Sequence, residues 1–276
     1  MNRRKGFSLV ELAVVMMIIG LLLAAALIPF STQIDLRSQA DTQRTLDAIK
    51  EAIIGFALAN GRLPCPADGT VPAGTAGAGT EVLTGTSPNT TCSATFGAVP
   101  WATLGVPETD AWGRRFSYWA SQTFADGIGP PTATFNNTFP SAQNPTCTPA
   151  PAPIQSSFAL CSLGSYTVNT RNESTHAATP VGSQLPAVII SHGKNGYGAY
   201  QTSGLLVSGV TAGSDEALNA NHAALQTTFY SRSPTRSASG CSDPTGGSPF
   251  CEFDDLVAMI TPNVLIARMV AAGRLP

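Results

Sequence analysis

The chain opens Met1-Asn2-Arg3-Arg4-Lys5-Gly6 and runs directly into FSLVELAVVMMIIGLLLAAALIPF, residues 7–30. Three cations precede a run interrupted only by Ser8, Glu11, Gly20 and Pro29. At about 1.5 Å per residue the run is just long enough to cross a hydrocarbon core of about 30 Å. Basic residues before such a run stay cytoplasmic, which puts everything after it outside. The run is longer than a signal-peptide core and lacks a convincing A-x-A site before a polar start. Glu11 is the anomaly. A carboxylate in hydrocarbon costs several kcal/mol, roughly 2.5–3.5 on insertion scales. On the same helix only Ser8 is polar and near, so the sequence reading gives Glu11 no partner of its own. A partner from another chain is the physical answer it asks for.

From Ser31 the pattern becomes amphipathic. Leu36, Ala40, Gln43, Leu46, Ile49 and Ile53 recur at steps of three and four, with Asp35, Arg37, Asp41 and Arg44 mostly on other faces. Asn60-Gly61 is a helix stop, with Pro64 just beyond. One helix over Phe7–Asn60 is therefore expected, with Pro29 a point of kinking.

The short basic leader, Gly6-Phe7-Ser8-Leu9-Val10-Glu11 and the apolar run together closely resemble the processing site of type IV prepilins and type II secretion pseudopilins. The resemblance implies that a prepilin peptidase cuts after Gly6 and that the new amino group on Phe7 is methylated. It also implies that Glu11 meets the N-terminal ammonium of a neighbouring subunit during assembly. The fold it implies is α+β: a long N-terminal transmembrane and amphipathic helix packed on a small antiparallel sheet, decorated by long disulfide-closed loops. The organisation is then a leader at 1–6, a membrane or filament-core helix at 7–30, its amphipathic continuation at 31–60, and an exported head at 61–276. The implied function is that of a structural subunit, a minor pilin or pseudopilin of a pilus or secretion filament. Its partners would be the peptidase, other subunits, an inner-membrane assembly platform and the lipid bilayer. A tip adhesin or ligand-binding module on a pilin stalk is the alternative.

The head's composition suits that reading. Charged residues are 12% of the chain, about half the roughly 25% of ordinary soluble domains. With 26 Gly and 21 Pro, it suggests long polar loops around a modest core. The net charge of −2 offers no electrostatic footprint for nucleic acid, and none is predicted as a partner. Two low-complexity stretches, Ala67–Ser93 and Phe124–Ser157, read as such loops. The six cysteines (Cys65, Cys92, Cys147, Cys161, Cys241, Cys251) all follow the apolar run, so they read as disulfides. Fifteen pairings are open; close spacing favours Cys147 with Cys161 and Cys241 with Cys251, leaving Cys65 with Cys92.

Strands are expected at Phe116–Ala120, Tyr166–Asn169, Ala187–Ser191, Gly204–Val207 and Phe253–Thr261, and a helix at Val264–Ala272. Asn195-Gly196 reads as a hairpin turn. Asp110-Ala111-Trp112-Gly113 and Ser191–Gly196 resemble turns of major pseudopilins. No catalytic residue is assigned. Neither Ser191 nor Ser203 lies in a G-x-S-x-G elbow, and Ser191 and His192 should point to opposite faces of one strand. The thiols are taken up as disulfides, and Lys194 lacks the G-x-x-x-x-G-K-[ST] context of a phosphate loop. The pairs Asp215-Glu216 and Asp254-Asp255 read as solvated acidic turns. Calcium is their other reading, because major pseudopilins bind it in the C-terminal half, although no EF-hand spacing exists here. No other cofactor is expected.

Overall fold

The computed structural model describes residues 8–85, 90–126, 156–222 and 226–275; within the first helix it describes the backbone, not the side chains, of 23–32. That helix, α1, spans Leu9–Asn60 and keeps its helical assignment through Gly20 and Pro29. The chain divides into two compact units, Met1–Asp41 and Thr42–Pro276.

In the second unit α1 is followed by β1 (Leu83–Thr84), β2 (Thr91–Cys92), β3 (Phe96–Ala98), α2 (Trp101–Leu104), β4 (Ser117–Ala120) and α3 (Gln122–Ala125). Then come β5 (Tyr166–Arg171), β6 (Ala178–Leu185), β7 (Ala187–Ser191), α4 (Asp215–Asn219), β8 (Thr228–Tyr230), β9 (Leu256–Ile260) and α5 (Pro262–Ala271). Strands β3-β4-β7-β9 form an antiparallel sheet, with Tyr118 opposite Ile189 and Ile189 opposite Ala258. A second sheet, β6-β5-β8, is mixed: β5 pairs antiparallel with β6 and parallel with β8. The expected sheet is therefore two sheets plus the short β1–β2 ribbon, and one pairing is parallel.

Alternation along the first sheet divides the core. Tyr118, Ala120, Ala187 and Ile189 pack with Ile49 and Ile53 of α1 and with Leu265 and Met269 of α5. The next residues along, Trp119, Val188 and Ile190, pack on the other side with Val168 and Phe229 of the second sheet. Every residue of β7 is buried, which is why it reads as an unbroken apolar run. Each fully buried Ile or Leu contributes about 1.5–3 kcal/mol, so this two-sided packing dominates the head's stability.

α1 stops where expected. Gly61 takes a positive φ of 71° and its N–H donates to Ala57 O, the turn that glycine permits. Arg274, near the chain's end, donates to Leu58 O and Ala59 O, carbonyls that the helix leaves over. α5 begins at Pro262, two residues earlier than expected, because proline suits the first helical position. Gly204–Val207 is not a strand. It closes a tight turn in which Gln201 N–H donates to Leu205 O and only Tyr200 and Leu206 bridge.

The disulfides Cys65–Cys92 and Cys241–Cys251 form as the spacing favoured. Cys161 is disulfide-bonded too; its expected partner Cys147 lies outside the described residues. Cys65–Cys92 brackets the first low-complexity stretch, whose described residues carry β1 and β2. Most of the second, 127–155, lies outside the described residues.

Candidate functional site

At the N-terminus Gly6 and Phe7 lie outside the described residues, whereas Ser8 and Glu11 are placed. Ser8 N–H donates to Glu11 Oε2 at 3.0 Å, and Val10 N–H donates to Ser8 Oγ at 3.2 Å. Ser-x-x-Glu at a helix start is a capping box, and a carboxylate there also faces the positive end of the helix dipole. This corrects the expectation that Glu11 has no partner within its own helix: the partner is a backbone amide, which a side-chain search overlooks. Leu9, Val10, Met16, Met17, Leu21 and Leu22 are all exposed, a contiguous apolar surface of the kind that marks a lipid or protein contact. Among the described residues, no helix is long and apolar enough to cross a membrane. The side chains of 23–30 belong to the apolar run but not to that described set.

The head's most unusual chemistry gathers around α4. Ser214 caps this short helix by accepting from Ala217 N–H, and the first two helical residues then diverge. Asp215 turns to Arg171 and Arg232, at 2.8 and 2.9 Å, and Arg232 also reaches Asp243 at 3.1 Å. The Arg232 guanidinium lies over the rings of Phe250 and Phe253. These groups are buried and balanced, two guanidiniums against two carboxylates.

Glu216 turns the other way, to Asp254 and Asp255. One oxygen from each lies within 4.8 Å of the others. Three chain segments build the cluster. Glu216 comes from α4; Asp254 and Asp255 lead into β9. The turn after β7 supplies Asn195, whose side chain donates to both Glu216 oxygens at 3.0 Å and whose N–H donates to Asp254 Oδ2 at 2.9 Å. Gly193 in that turn has a positive φ of 56°, and a Cβ there would fall 2.3 Å from Asp254 O, so no larger residue fits the approach. Asp254 N–H donates to Glu216 Oε1 at 2.8 Å. Asn195-Gly196 thus belongs to a turn that carries the cluster, Gly196 N–H donating to His192 O, and not to a two-residue hairpin.

Burial and then the neighbouring Asp255 charge push Glu216 up to about 8. Burial likewise, followed by Asp255 and Glu252, pushes Asp254 up to about 6. Only hydrogen bonds work against these shifts. Asp254 Oδ1 and Asp255 Oδ1 are buried without a hydrogen-bond partner. The solvated-turn expectation is therefore corrected: Asp215, Glu216 and Asp255 are buried outright. Three convergent carboxylates, two with an unpaired buried oxygen, fit a hard divalent cation such as calcium, which takes oxygen ligands.

Ser191 and His192 diverge as their alternation predicts. Ser191 Oγ donates to Asp110 Oδ2 at 2.7 Å, while His192 Nε2 lies 2.9 Å from Ser117 Oγ. Asp255 Oδ1 stands 3.6 Å from His192 Nδ1. Ser117, His192 and Asp255 thus line up in the order of a catalytic triad, but all three are buried and the hydroxyl is closed to a substrate. Ser117 and Asn195 were missed as site residues by sequence reasoning. Asn195 carried a turn signal, and Ser117 carried none.

Residues 1–27 match the prokaryotic N-terminal methylation motif. That motif is the hallmark of type IV prepilins and pseudopilins, and over this stretch the chain is similar to them. Neither a curated protein nor a solved structure matches the chain.

Proposed function

We propose that the chain is a structural subunit, a minor pilin or pseudopilin, cut after Gly6 by a prepilin peptidase, N-methylated on Phe7 and built into a filament through α1. The observation that carries this reading is the methylation motif over 1–27, continuous with a helix whose apolar residues stand exposed. Before assembly residues 7–30 hold the subunit in the inner membrane, with the head on the far side. Glu11 then exchanges its local bond to Ser8 N–H for the Phe7 ammonium of the next subunit. That contact is charge-assisted, and the low dielectric of a filament core strengthens it. In the head, Glu216, Asp254 and Asp255 would hold a divalent cation, which would supply the positive charge that the cluster lacks.

Mass spectrometry of the mature chain tests the reading. The N-terminus should be Phe7, heavier by one methyl group. A mature terminus near Pro29, or an intact Met1, overturns it.

A ligand-binding head on the same stalk is a second reading. A cavity of about 270 Å³ favours it, lined by Ala67, Asp68, Ser93, Phe96 and Tyr200 and set beside the loop that Cys65–Cys92 closes. Deleting Ala67–Ser93 separates the two: lost attachment with normal assembly supports a ligand-binding head, and lost assembly supports a structural one.

A further inference from the structure

His192 directly follows β7, and its side chain is wholly buried. Nε2 is held by Ser117 on the neighbouring strand β4, but Nδ1 has no hydrogen-bond partner. Facing it at 3.6 Å is Asp255 Oδ1, buried and also without one. That gap is too long for a hydrogen bond, and two unpaired polar atoms in a packed interior are costly. The other Asp255 oxygen is already engaged, Oδ2 accepting from Asn219 Nδ2 at 2.8 Å. Asn219 is itself fixed, donating to Tyr230 O and accepting from Tyr230 N–H. Asp255 is thus gripped at one oxygen from α4, while its other oxygen faces an imidazole nitrogen across a gap just short of bonding.

We infer that His192 is a positioning residue of a cation centre formed by Glu216, Asp254 and Asp255, and that Ser117 holds the imidazole for that task. The inference rests on reading the acidic cluster as a cation centre. Ser117 O–H donates to Nε2, which places the ring proton on Nδ1. Nδ1–H then points at Asp255 Oδ1. A carboxylate oxygen has two lone pairs, so Oδ1 can accept from Nδ1–H and still face a cation. Ligating carboxylates are commonly oriented by such outer hydrogen bonds, and losing one typically weakens metal affinity by about 10–100-fold.

The test titrates calcium chloride calorimetrically into the full chain in detergent, stripped of metal beforehand. Three forms are compared: wild type, His192→Asn and His192→Gln. The Asn amide is attached at Cγ and places its nitrogen where Nδ1 sits. The Gln amide reaches only the Nε2 end, toward Ser117. Wild type should bind saturably, His192→Asn should bind close to wild type, and His192→Gln should bind about 10–100-fold more weakly. Equal affinity in wild type and His192→Gln overturns the positioning role while leaving the centre in place. No binding by wild type overturns the centre and this inference with it. Should His192→Gln not fold, Ser117→Ala carries the test: reduced affinity supports the role, and unchanged affinity overturns it. Metal-free melting curves separate any general loss of fold from a loss confined to the cation-bound form.

Discussion

Replacing Glu216 with Gln should have opposite consequences with and without a divalent cation. In the metal-free head Glu216 titrates near 8, against an ordinary value of 4.5. The folded state therefore holds more protons than the unfolded chain across that interval, so stability falls as pH rises from about 4.5 toward about 8. Each pH unit above the ordinary value, up to the folded one, costs the folded state about 1.4 kcal/mol, which sets a ceiling on the order of 4 kcal/mol near pH 7.5. Two effects reduce it. The proton is shared among neighbouring carboxyls, and Gln gives up one of the two acceptor oxygens that Asn195 uses. A net gain on the order of 2 kcal/mol remains, or about 4–8 °C in Tm for a head of this size. The assay is thermal unfolding in EDTA and in excess calcium, at about pH 5 and about pH 7.5. In EDTA at the higher pH the variant should melt above wild type, and at pH 5 the two should converge. Calcium should raise wild type and leave the variant nearly unmoved. A variant that melts below wild type in EDTA at pH 7.5, or that gains as much from calcium, would refute the reasoning.

The other outcomes concern the staples of the head. Replacing Cys65 and Cys92 together with Ser opens a loop closed over 27 positions, and should cost about 3–4 kcal/mol in urea unfolding under non-reducing conditions. Arg232→Met should cost about 3–5 kcal/mol in the same assay, since Asp215 and Asp243 lose a shared guanidinium inside the protein. Arg274→Ala strips two end carbonyls of α1 of their donor and should cost about 1 kcal/mol, read as a shift in the urea midpoint.

What the sequence made legible were the elements that bury side chains at a regular period. The α1 stop at Gly61, β7 at Ala187–Ser191, and the cores of β4, β5 and β9 all stand out as apolar runs beside turn residues. β6 did not, because Ala178–Leu185 is mostly exposed and contains Pro180 and Gly182, residues that depress strand propensity. β3, β8 and α4 are three to five residues long, too short to establish a period. Gly204–Val207 misled for the converse reason: Leu205 and Leu206 are apolar yet exposed, so apolarity there does not report a ladder. The acidic pairs were visible, but their burial was not. Glu216 and Asp254 are 38 residues apart and meet only because α4 and the entry to β9 both pack beside the turn after β7. No local pattern encodes that meeting. The methylation motif over 1–27 was the opposite case, a contiguous stretch that can be read without knowing the fold.

The placement of charge explains how so loop-rich a head holds one shape. Only 12% of the chain is charged, yet Arg115, Asp215, Glu216, Asp243 and Asp255 are buried. Each joins segments that the two sheets do not. Arg115 donates to Gly69 O, Val71 O and Thr202 O and pairs with Glu108, tying the first loop to the turn beyond β7. Asp243 accepts from Asp215 N–H and from Cys251 N–H, tying α4 to the second disulfide. These groups replace the apolar contacts that a larger core would make, and Arg115, Asp215 and Asp243 are each balanced by an opposite charge or by backbone donors. The Glu216–Asp254–Asp255 cluster instead sets three like charges within 4.8 Å of one another. A buried like-charge cluster is unfavourable for folding of the metal-free chain. Departures of this kind, in a molecule that satisfies its other buried charges, point to a task beyond packing. That contrast with Asp215, one residue away on the same helix, is the strongest physical reason to look for a cation there.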